Sequence, residues 1–587
     1  MYTTKDIASQ FSQFNITVEE KVLEKCLELC ARYNIEPEDL CDQWYAFAAT
    51  NLNGAEPTLP HLEKLERNVL EKEKRNAGSH VTIATPKRQE TIATPKRQET
   101  SDVQPEVQSV ISSYASVTPK AHRIQSTKHI SSPKTPVAAK NISVDYEKAS
   151  PSVSMSDHYS QRTDSRKVQA SYGSPTAQFK REEGLQITIK NFSDNAMPAD
   201  AKLMYEVLSR KALSLSSTID YFGKEILKHQ GMMLSEGVLT NLRGDVVTYG
   251  RIISDTAGKM NAQSVLLEGT ADTNLCNTTN LNLSKMNKYS LFPGQSVAVK
   301  GNKVTANDLV VEEIYSSVPL SLPEETPVAD GPLEIVVSAG PYTFSENLSY
   351  EPLHDLLKYI EEYRPHVWIM LGPFLDVTHD SVKNGDILQS YRSFFEGLIE
   401  NIANTVQLSS TQLVIVSSHK DVHHRPVYPT PPYKVKDNHP NIKFVSDPAM
   451  ININGLVIGI TSVDVLLHLS NYELYYDKIS QTAPDRLGRL VSHLLKQHNF
   501  YPLYPPVKGL GVDHELFEQY GMIDTKPHVF ITPSNLKHFV KNIDDCLVIN
   551  PERLVKGHIG GTYARIEVIA GSSKSVCNRA SCQVLRI

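Results

Sequence analysis

The sequence predicts a multidomain protein: a small all-α N-terminal bundle, a disordered linker, a small all-β barrel and an α/β layered domain. Three observations predict this order. Apolar residues recur at helical spacing within residues 1–76. Residues 77–183 hold few apolar side chains and no periodicity, so they cannot bury enough surface to offset the entropy lost on ordering. Short β-rich runs follow in residues 184–330, and strands alternate with helical patterns in residues 331–587.

The overall composition is that of ordinary globular protein, with 40% hydrophobic and 21% charged residues. The formal net charge of −6 argues against a protein whose whole surface grips nucleic acid, although it leaves a local basic patch open. The seven cysteines are sparse and odd in number, which argues against a disulfide scaffold and favours a reducing compartment. No apolar run reaches the roughly 18 residues of a membrane span, so we expect no membrane partner.

Residues 1–76 predict three short helices. Thr17 and Glu20 fit a capping box at the start of the first, a second is expected after Pro37, and a third from Pro60. Each helix carries one apolar face, so together they predict a small bundle. The sequence does not separate an independent folding unit from a docking module on a tether.

The linker at residues 77–183 is basic and carries a tandem duplication. Between Ala77 and Lys180 there are 14 Lys/Arg and 8 Asp/Glu, a net charge of +6 (14 − 8). The segment TIATPKRQE occurs twice, at Thr82–Glu90 and Thr91–Glu99. Proline-directed kinases favour Ser/Thr-Pro followed by a basic residue, and each phosphate would add about −1.5 to −2 charges. Ser/Thr-Pro pairs are also common in any disordered linker. The candidate phosphorylation sites are Thr85, Thr94, Thr118, Ser132, Thr135, Ser150 and Ser174.

Residues 184–330 predict a helix followed by a small closed barrel such as an OB-fold. The expected helix is Pro198–Lys228, and the expected strands are Val246–Ser254, Ser264–Glu268, Ser296–Val304 and Leu309–Tyr315. OB-folds often bind single-stranded nucleic acid by stacking bases on exposed aromatic rings in a basic groove. This segment has few aromatic residues and scattered basic ones, so a protein contact or a purely structural role is favoured over single-stranded DNA binding. The aromatic residues are Tyr249, Tyr289, Phe292 and Tyr315.

Residues 331–587 alternate short apolar runs with helical patterns, which predicts an α/β layered domain. The expected strands are Leu333–Ser338, Val367–Leu371, Leu413–Ser417, Leu456–Thr461, Val529–Thr532, Leu547–Ile549 and Tyr563–Ile569. The expected helices are Tyr350–Tyr363, Asp386–Asn404 and Arg486–Gln497.

The strand ends in this last block resemble those of the calcineurin-like metallophosphoesterases, which hold two metal ions on loops after successive strands. Such a site needs carboxylate and imidazole ligands, with one carboxylate bridging the ions. At the matching places this sequence has lost most of these groups, and His419, Asp376 and Asp421 are the survivors. The degenerate former metal-site positions are Pro341, Pro373, Ser418, His419, Ser534 and Leu536.

The resemblance therefore implies a β-sandwich with flanking helices that keeps the fold of a phosphoesterase without its metals. We expect no catalytic residues, no metal and no cofactor. An active phosphoesterase would need replacement ligands, for which His423, His424 and Asp464 are the nearby groups.

An OB domain joined to an inactivated phosphoesterase domain is typical of the B subunits of eukaryotic replicative DNA polymerases. The chain resembles the polymerase alpha members of that family in five blocks: Gly372–Asp376, Ser417–His419, Tyr501–Pro506, Pro533–Val540 and Lys556–Arg565.

This second resemblance implies a nuclear, non-catalytic scaffold subunit that supports the initiation of DNA replication. The implied partners are the C-terminal domain of the polymerase alpha catalytic subunit, the small and large primase subunits through the complex, and other replication factors through the N-terminal domain. Any contact with DNA would be indirect or weak.

Overall fold

The computed structural model describes residues 4–13, 18–33, 35–51, 57–67, 159, 162–174, 181, 185–193, 196–235, 244–256, 258–305, 307–324, 332–437, 439–480 and 485–587. Six of the seven candidate phosphorylation sites lie outside these residues: Thr85, Thr94, Thr118, Ser132, Thr135 and Ser150. In the part of the chain that is described, no helix is long and apolar enough to cross a membrane.

Four helices of the described residues form the N-terminal unit, which is called the bundle below. They are α1 Thr4–Gln13, α2 Glu20–Tyr33, α3 Pro37–Asn51 and α4 Leu59–Leu65. Helix α1 was not predicted because its sequence is mostly polar. Its apolar residues Ile7 and Phe11 lie one turn apart and are fully buried. They join Trp44 in a core whose described residues all come from the bundle itself.

Two short strands precede the next helix, β1 Val168–Tyr172 and β2 Ile189–Asn191. Strand β1 corrects the expectation that the disordered linker runs to residue 183. Residues 162–174 are ordered because β1 pairs antiparallel with the last strand of the chain, and Tyr172 donates its hydroxyl to the Cys577 carbonyl at 3.1 Å. Ser174, the remaining candidate phosphorylation site, follows β1 and is exposed.

Helix α5 spans Leu208–Gln230, so the expected start at Pro198 is wrong. The described residues before it are held in a non-helical course because the Met204 amide donates to the Asp513 carboxylate at 2.7 Å. The helix ends at Gly231, whose φ of 65° is the left-handed conformation that glycine adopts without strain.

The next seven elements build the barrel. They are β3 Gly244–Ser254, β4 Val265–Glu268, α6 Ala271–Asn274, β5 Thr278–Asn282, β6 Lys288–Leu291, β7 Ser296–Lys303 and β8 Asp308–Tyr315. Five strands close in the order β3-β4-β5-β8-β7, and the parallel pairing of β5 with β8 completes the ring. Strand β5 was not among the expected strands.

Helix α5 packs directly on the barrel. A Cβ added to Gly223 would lie 2.2 Å from the ring of Tyr249, so only a glycine permits this approach. The Tyr249 hydroxyl donates to Asp220 of the helix at 2.9 Å. The helix thereby covers one side of the barrel.

The remaining elements form the C-terminal domain, which is called the body below. Its first half contains β9 Leu333–Ala339, α7 Glu351–Tyr363, β10 Val367–Leu371, α8 Asp380–Asn384, α9 Tyr391–Ser409, β11 Gln412–Val416, β12 Val427–Tyr428, β13 Ile442–Val445, β14 Ala449–Ile453 and β15 Leu456–Ile460. Its second half contains α10 Val465–Tyr472, β16 Leu474–Asp477, α11 Arg486–Lys496, β17 Gly511–Val512, α12 His514–Tyr520, β18 Val529–Ile531, β19 Phe539–Ile543, β20 Cys546–Asn550, β21 Val555–Lys556, β22 Ile559–Gly560, β23 Thr562–Val568 and β24 Ala580–Arg586.

Two sheets share the central core of the body. One has the order β1-β24-β23-β9-β10-β11-β13 and the other β19-β20-β18-β15-β14-β2. Apolar residues from the facing sides of both sheets make one buried cluster between them. A second cluster lies under α7 and α9, and a third under α10 and α11, so helices cover the outer faces. The result is a sandwich with flanking helices.

Helix α11 ties the barrel to the body. Gln497, at its C-terminal end, accepts from the Ser296 amide at 2.7 Å and donates to the Ser296 carbonyl at 3.0 Å. One turn earlier, His493 contacts Ser290 at 2.8 Å and Glu473 at 3.0 Å. Strand β16 of the body also pairs antiparallel with β6. These contacts hold the two domains in one orientation.

Candidate functional site

Four loops at the carboxyl ends of body strands correspond to the metal-binding loops of the resemblance. They are the β9 loop (338–342), the β10 loop (372–376), the β11 loop (417–421) and the β18 loop (533–536). Strands β9, β10 and β11 run parallel to one another, and β18 runs parallel to β15 and β20 in the other sheet. Parallel strands bring their carboxyl ends to one edge, so the loops of each sheet gather there.

The β9 and β10 loops place prolines at two positions where the resemblance expects metal ligands. The Gly340–Pro341 and Gly372–Pro373 peptide bonds are both cis. The two loops touch, since a Cβ on Gly340 would lie 1.9 Å from the Pro373 carbonyl oxygen. Tyr342 is fully buried, and its hydroxyl lies 3.1 Å from a main-chain carbonyl oxygen of each strand, β9 and β10. A proline side chain carries no metal-binding atom, so these loops serve packing.

Asp421, one of the surviving carboxylates, is fully engaged by the protein. Its Oδ1 accepts from the amides of Phe374 and Leu375 at 2.7 and 2.8 Å, and its Oδ2 accepts from the Tyr433 hydroxyl. Burial raises the pKa of Asp421 to about 7, although these hydrogen bonds act in the opposite direction. Gly372 is required beside it, because a Cβ there would lie 2.6 Å from Oδ2. Asp421 therefore fastens the β10 loop.

The other survivors, Asp376 and His419, also lack a metal-binding arrangement. Asp376 accepts from the amide and the hydroxyl of Thr378 at 2.7 and 2.6 Å. Ser418 accepts from the Lys420 amide at 3.3 Å. The Nδ1 of His419 is buried and has no hydrogen-bond partner among the described residues. Burial lowers the pKa of His419 to about 3, and Lys420 adds to this shift, so the imidazole is neutral at neutral pH.

The β18 loop is held by a single carboxylate, that of Asp464. Ser534 donates its hydroxyl to Asp464 Oδ1 at 2.5 Å, and the Asn535 amide donates to Oδ2 at 2.8 Å. Asp464 also caps α10 by accepting from the Leu467 amide at 3.2 Å. Leu536 is fully buried. Asp464, which the sequence left as a replacement ligand, is thus already occupied.

Arg553 lies among the carboxylates at this edge and is only 5% exposed. Its Nη2 donates to the Ser462 carbonyl at 3.2 Å, while its Nη1 is buried without a hydrogen-bond partner among the described residues. Burial lowers the pKa of the guanidinium, and Asp464, Asp376 and Asp447 oppose that shift. An arginine retains its proton in proteins, so a permanent positive charge is buried here.

Lys420 adds a second cation to the same group. Burial and the charge of Arg553 lower the pKa of Lys420, whereas Asp376 and Asp464 raise it. Arg553 and Lys420 therefore lie close enough to Asp376 and Asp464 to interact with them electrostatically. In the described part of the chain, no group of three or more His, Cys, Asp or Glu residues is arranged to hold a metal ion.

Sequence reasoning missed Arg553 and Asp447. Asp447 is fully buried and accepts from the amide and hydroxyl of Ser462 at 2.9 and 2.5 Å. One signal was available: Arg553 lies three residues after the end of the buried strand β20, near the edge where the other loops of the site begin.

Three histidines outside the four loops, His423, His424 and His498, make packing or main-chain contacts. His423 stacks on Phe395 with ring centroids 3.9 Å apart, and His424 contacts the Pro431 carbonyl at 2.8 Å. His498 lies against Phe222 of α5 and contacts the Val318 carbonyl at 2.8 Å.

The aromatic segment between Arg425 and Tyr433 is also structural. Its residues Tyr428 and Tyr433 are buried, so both rings pack inside the body.

The barrel offers little for stacking bases. Tyr249 and Phe292 are buried, Tyr289 stacks on Tyr476 with centroids 5.3 Å apart, and Tyr315 donates to Glu313. Its basic residues are drawn into ion pairs with acidic neighbours: Arg251 with Glu268, Lys285 with Glu312, Lys288 with Asp477 and Lys300 with Glu313. Rings and charges engaged in this way do not favour single-stranded DNA binding.

Comparison of this sequence with known protein families and proteins identifies its family. The family of DNA polymerase alpha/epsilon B subunits matches residues 335–541. The N-terminal domain family of DNA polymerase alpha B subunits matches residues 5–72, and their OB domain family matches residues 213–317. A Mus musculus protein named as the B subunit of DNA polymerase alpha is 32% identical over 580 residues, which cover 96% of this chain and 95% of that protein. The chain belongs to the family of DNA polymerase alpha B subunits.

More distant members of this family of DNA polymerase alpha B subunits agree. The Drosophila melanogaster protein of that name is 31% identical and covers 99% of this chain. The Saccharomyces cerevisiae protein is 26% identical and covers 65%. These matches confirm the resemblance noted in the sequence. They also confirm a multidomain chain with an N-terminal domain, an OB domain and a C-terminal domain.

Proposed function

We propose that this chain is a non-catalytic scaffold subunit of the nuclear DNA polymerase alpha–primase complex. It binds the C-terminal domain of the polymerase alpha catalytic subunit and reaches the two primase subunits through the complex. In this role it supports the synthesis of RNA–DNA primers at the start of DNA replication, and the bundle serves as a docking site for other replication factors. Relatives that are named as B subunits of DNA polymerase alpha and span almost the whole chain support this proposal.

The main support for the proposal lies at the sheet edge. Prolines stand there in place of metal ligands, and basic side chains stand in place of metal charge. Pro341 and Pro373 provide no ligand atom where the resemblance requires metal ligands, and Pro373 stands where it requires the bridging carboxylate. Arg553 and Lys420 already supply positive charge to the remaining carboxylates. Two added metal ions would be repelled by these cations and would find no bridging carboxylate. The residues of this site therefore stabilise the body and do not provide the metal-binding groups that hydrolysis would need.

A scaffold also needs an uncovered surface, and Met204–Leu208 provides one. Tyr205 is 77% exposed and Leu208 is 87% exposed. The segment is nevertheless fixed in place, because the His514 amide donates to Glu206 at 2.9 Å and Asp513 holds the Met204 amide. An ordered apolar segment open to solvent favours a protein contact. We propose that the catalytic subunit covers it.

Affinity purification from dividing cells tests the complex. The tagged full-length chain is expected to retain the polymerase alpha catalytic subunit and both primase subunits in near-equal amounts. Tyr205→Glu with Leu208→Glu should reduce that recovery by at least about tenfold, since charges at an apolar contact are costly. Leu388→Glu with Leu408→Glu is the matched control, because these residues are 78% and 76% exposed elsewhere. Equal recovery with both pairs would refute the proposed surface, and a chain that purifies alone would refute the complex.

A hydrolysis assay tests the absence of catalysis. The purified chain should release no nitrophenol from bis(4-nitrophenyl) phosphate with added Mn²⁺. Its unfolding temperature should be the same in EDTA and in Mn²⁺, because no metal contributes to the folded state. Metal-dependent turnover that co-purifies with the chain would show that the scaffold assignment is wrong.

A further inference from the structure

The bundle meets the rest of the chain through a cluster of five charged residues, which is called the junction below. Arg486 Nε lies 2.9 Å from Glu38 Oε1, and Arg486 Nη2 lies 3.6 Å from Asp39 Oδ1. Arg489 reaches Glu38 at 4.0 Å, and Lys259 forms an ion pair with Asp39. Two acidic residues of the bundle thus face three basic residues of the barrel and the body.

Local structure places each side of the junction. Helix α3 begins at Pro37, so Glu38 and Asp39 occupy its first turn, where acidic residues are stabilised by the helix dipole. Arg486 and Arg489 lie three residues apart at the start of α11 and therefore share one face. Lys259 reaches the same place from the segment that joins β3 to β4.

The basic side is held in position without the bundle. Arg489 makes a paired contact with Glu473 at 2.7 and 3.0 Å and lies over the ring of Tyr475 at 3.6 Å. Arg486 donates to the Ser470 carbonyl at 3.2 Å. Because these contacts come from the body, the arginines are pre-organised to receive an acidic segment.

The strength of the junction is limited. The side chain of Arg486 is 9% exposed and that of Glu38 is 22% exposed, so forming the pairs removes water from both charges. Burial raises the pKa of Glu38, and Arg486 and Arg489 act in the opposite direction. Desolvation cancels much of the attraction in such pairs. The described apolar core of the bundle does not extend across the junction either.

We propose that the junction is a reversible latch in which Lys259, Arg486 and Arg489 hold the acidic first turn of α3. In the closed state the bundle rests on the barrel and the body. The bundle is released when salt screens these ion pairs or when a basic partner binds Glu38 and Asp39 in their place. The latch goes beyond the scaffold function, because it switches the bundle between covered and available states without unfolding any domain.

A zero-length carbodiimide cross-link reads the closed state directly. The reagent joins a lysine to a carboxylate only when they are in contact, so Lys259 and Asp39 should cross-link within a full-length monomer at about 50 mM NaCl. At about 500 mM NaCl the yield should fall at least fivefold, because partly exposed pairs are screened. Lys288 and Asp477, 2.8 Å apart within the folded core structure, give the internal reference.

One substitution separates the latch from a chance contact. Glu38→Lys removes the partner of both arginines and leaves the Asp39 acceptor, so the Lys259–Asp39 yield should fall at least about fivefold at low salt. Glu24→Lys makes the same charge change on an exposed position of α2 and should leave the yield unchanged. A wild-type cross-link absent at low salt, or one insensitive to both salt and Glu38→Lys, would overturn the proposal. The salt titration needs no variant and holds even if Glu38→Lys unfolds the bundle.

Discussion

At the scale of single residues, buried charge shapes the edge of the sheets where the four loops lie. Carboxylates at the edge of a parallel sheet are costly to bury unless each has a partner. Here Asp421 has two amides and a hydroxyl, Asp464 has a hydroxyl and two amides, and Arg553 supplies positive charge. The protein itself therefore supplies a full set of hydrogen-bond partners for these two carboxylates.

Replacing Asp421 by Asn should flatten the pH dependence of stability. The pKa of Asp421 is about 7 when folded and near 3.9 when unfolded, so the folded state binds more protons between these values. Stability from this group therefore falls as pH rises from about 4 to 7 and is constant above. Asn keeps the Oδ1 acceptor for the two amides and does not titrate. Urea midpoints at about pH 5 and pH 8 should differ less in D421N than in the parent.

The exposed residue Asp380 supplies the control for this measurement. Asp380→Asn makes the same chemical change on α8, where the side chain is 58% exposed. Its midpoints should follow those of the parent at both pH values. An identical drop in D421N and the parent would contradict the raised pKa.

Replacing Arg553 by Met should destabilise the body by roughly 3–5 kcal/mol, because the carboxylates around it would lose their counter-charge. Arg210→Met removes the same charge from a side chain that is 71% exposed and should change stability by less than about 0.5 kcal/mol. Chemical denaturation of the full chain measures both. A loss in R553M no larger than that in R210M would show that the buried cation is dispensable.

At the scale of elements, buried strands were the most predictable part of the chain. Val367–Leu371 was expected with the same bounds as β10, because a strand buried on both faces reads as a continuous apolar run. Thr278–Asn282 was missed because most of its residues are polar, and its form depends on pairing with β4 and β8. Helix α9, expected at Asp386–Asn404, begins after Ser390, whose hydroxyl accepts from the Ser393 amide at 3.1 Å.

The candidate site was predictable in part for the same reason. The four loops follow recognisable strands, so their positions could be predicted from the sequence. The contact of Arg553 with the Ser462 carbonyl was not readable, because it depends on strand order in the second sheet. The order of strands is set by packing that local sequence does not encode.

The contact between α5 and the barrel gives a prediction at this scale. Gly223→Ala should destabilise the protein by about 1–3 kcal/mol, because its Cβ would clash with the Tyr249 ring. Gly397→Ala, in α9, is the matched control: its Cβ would meet nothing within 4 Å, and the helix should gain about 0.5–1 kcal/mol. Thermal unfolding compares the two. A gain in stability for both variants would show that α5 does not press on the barrel.

At the scale of the whole molecule, α11 connects three parts. Its first turn faces the bundle through Arg486, and its C-terminal end contacts the barrel through Gln497. Between these ends, Leu490, Val491 and Leu494 are fully buried in the body. Helix α11 therefore contacts the bundle at its first turn, the core of the body along its middle and the barrel at its end.

Gln497→Ala should loosen the barrel from the body. It leaves the buried amide and carbonyl of Ser296 without their partners, which costs about 1–3 kcal/mol for each buried group. Hydrogen exchange should increase in β7 and stay unchanged in β10. Gln169→Ala, at an exposed position of β1, should change neither strand. Unaltered exchange in β7 would show that other contacts suffice to hold the barrel.

The position of α11 decides how movement passes through the molecule. Helix α11 is about 16 Å long and transmits a displacement of the barrel to the sandwich. Bending between the two domains would break the hydrogen bonds of Gln497 and His493 to the barrel. These contacts favour movement of the barrel and the sandwich as one body. In the proposed latch, the contact at the first turn of α11 opens by separating charged side chains, because the described apolar core of the bundle does not extend across the junction. The barrel is thus rigidly attached to the body, whereas the bundle is attached through charge pairs that we propose to be reversible.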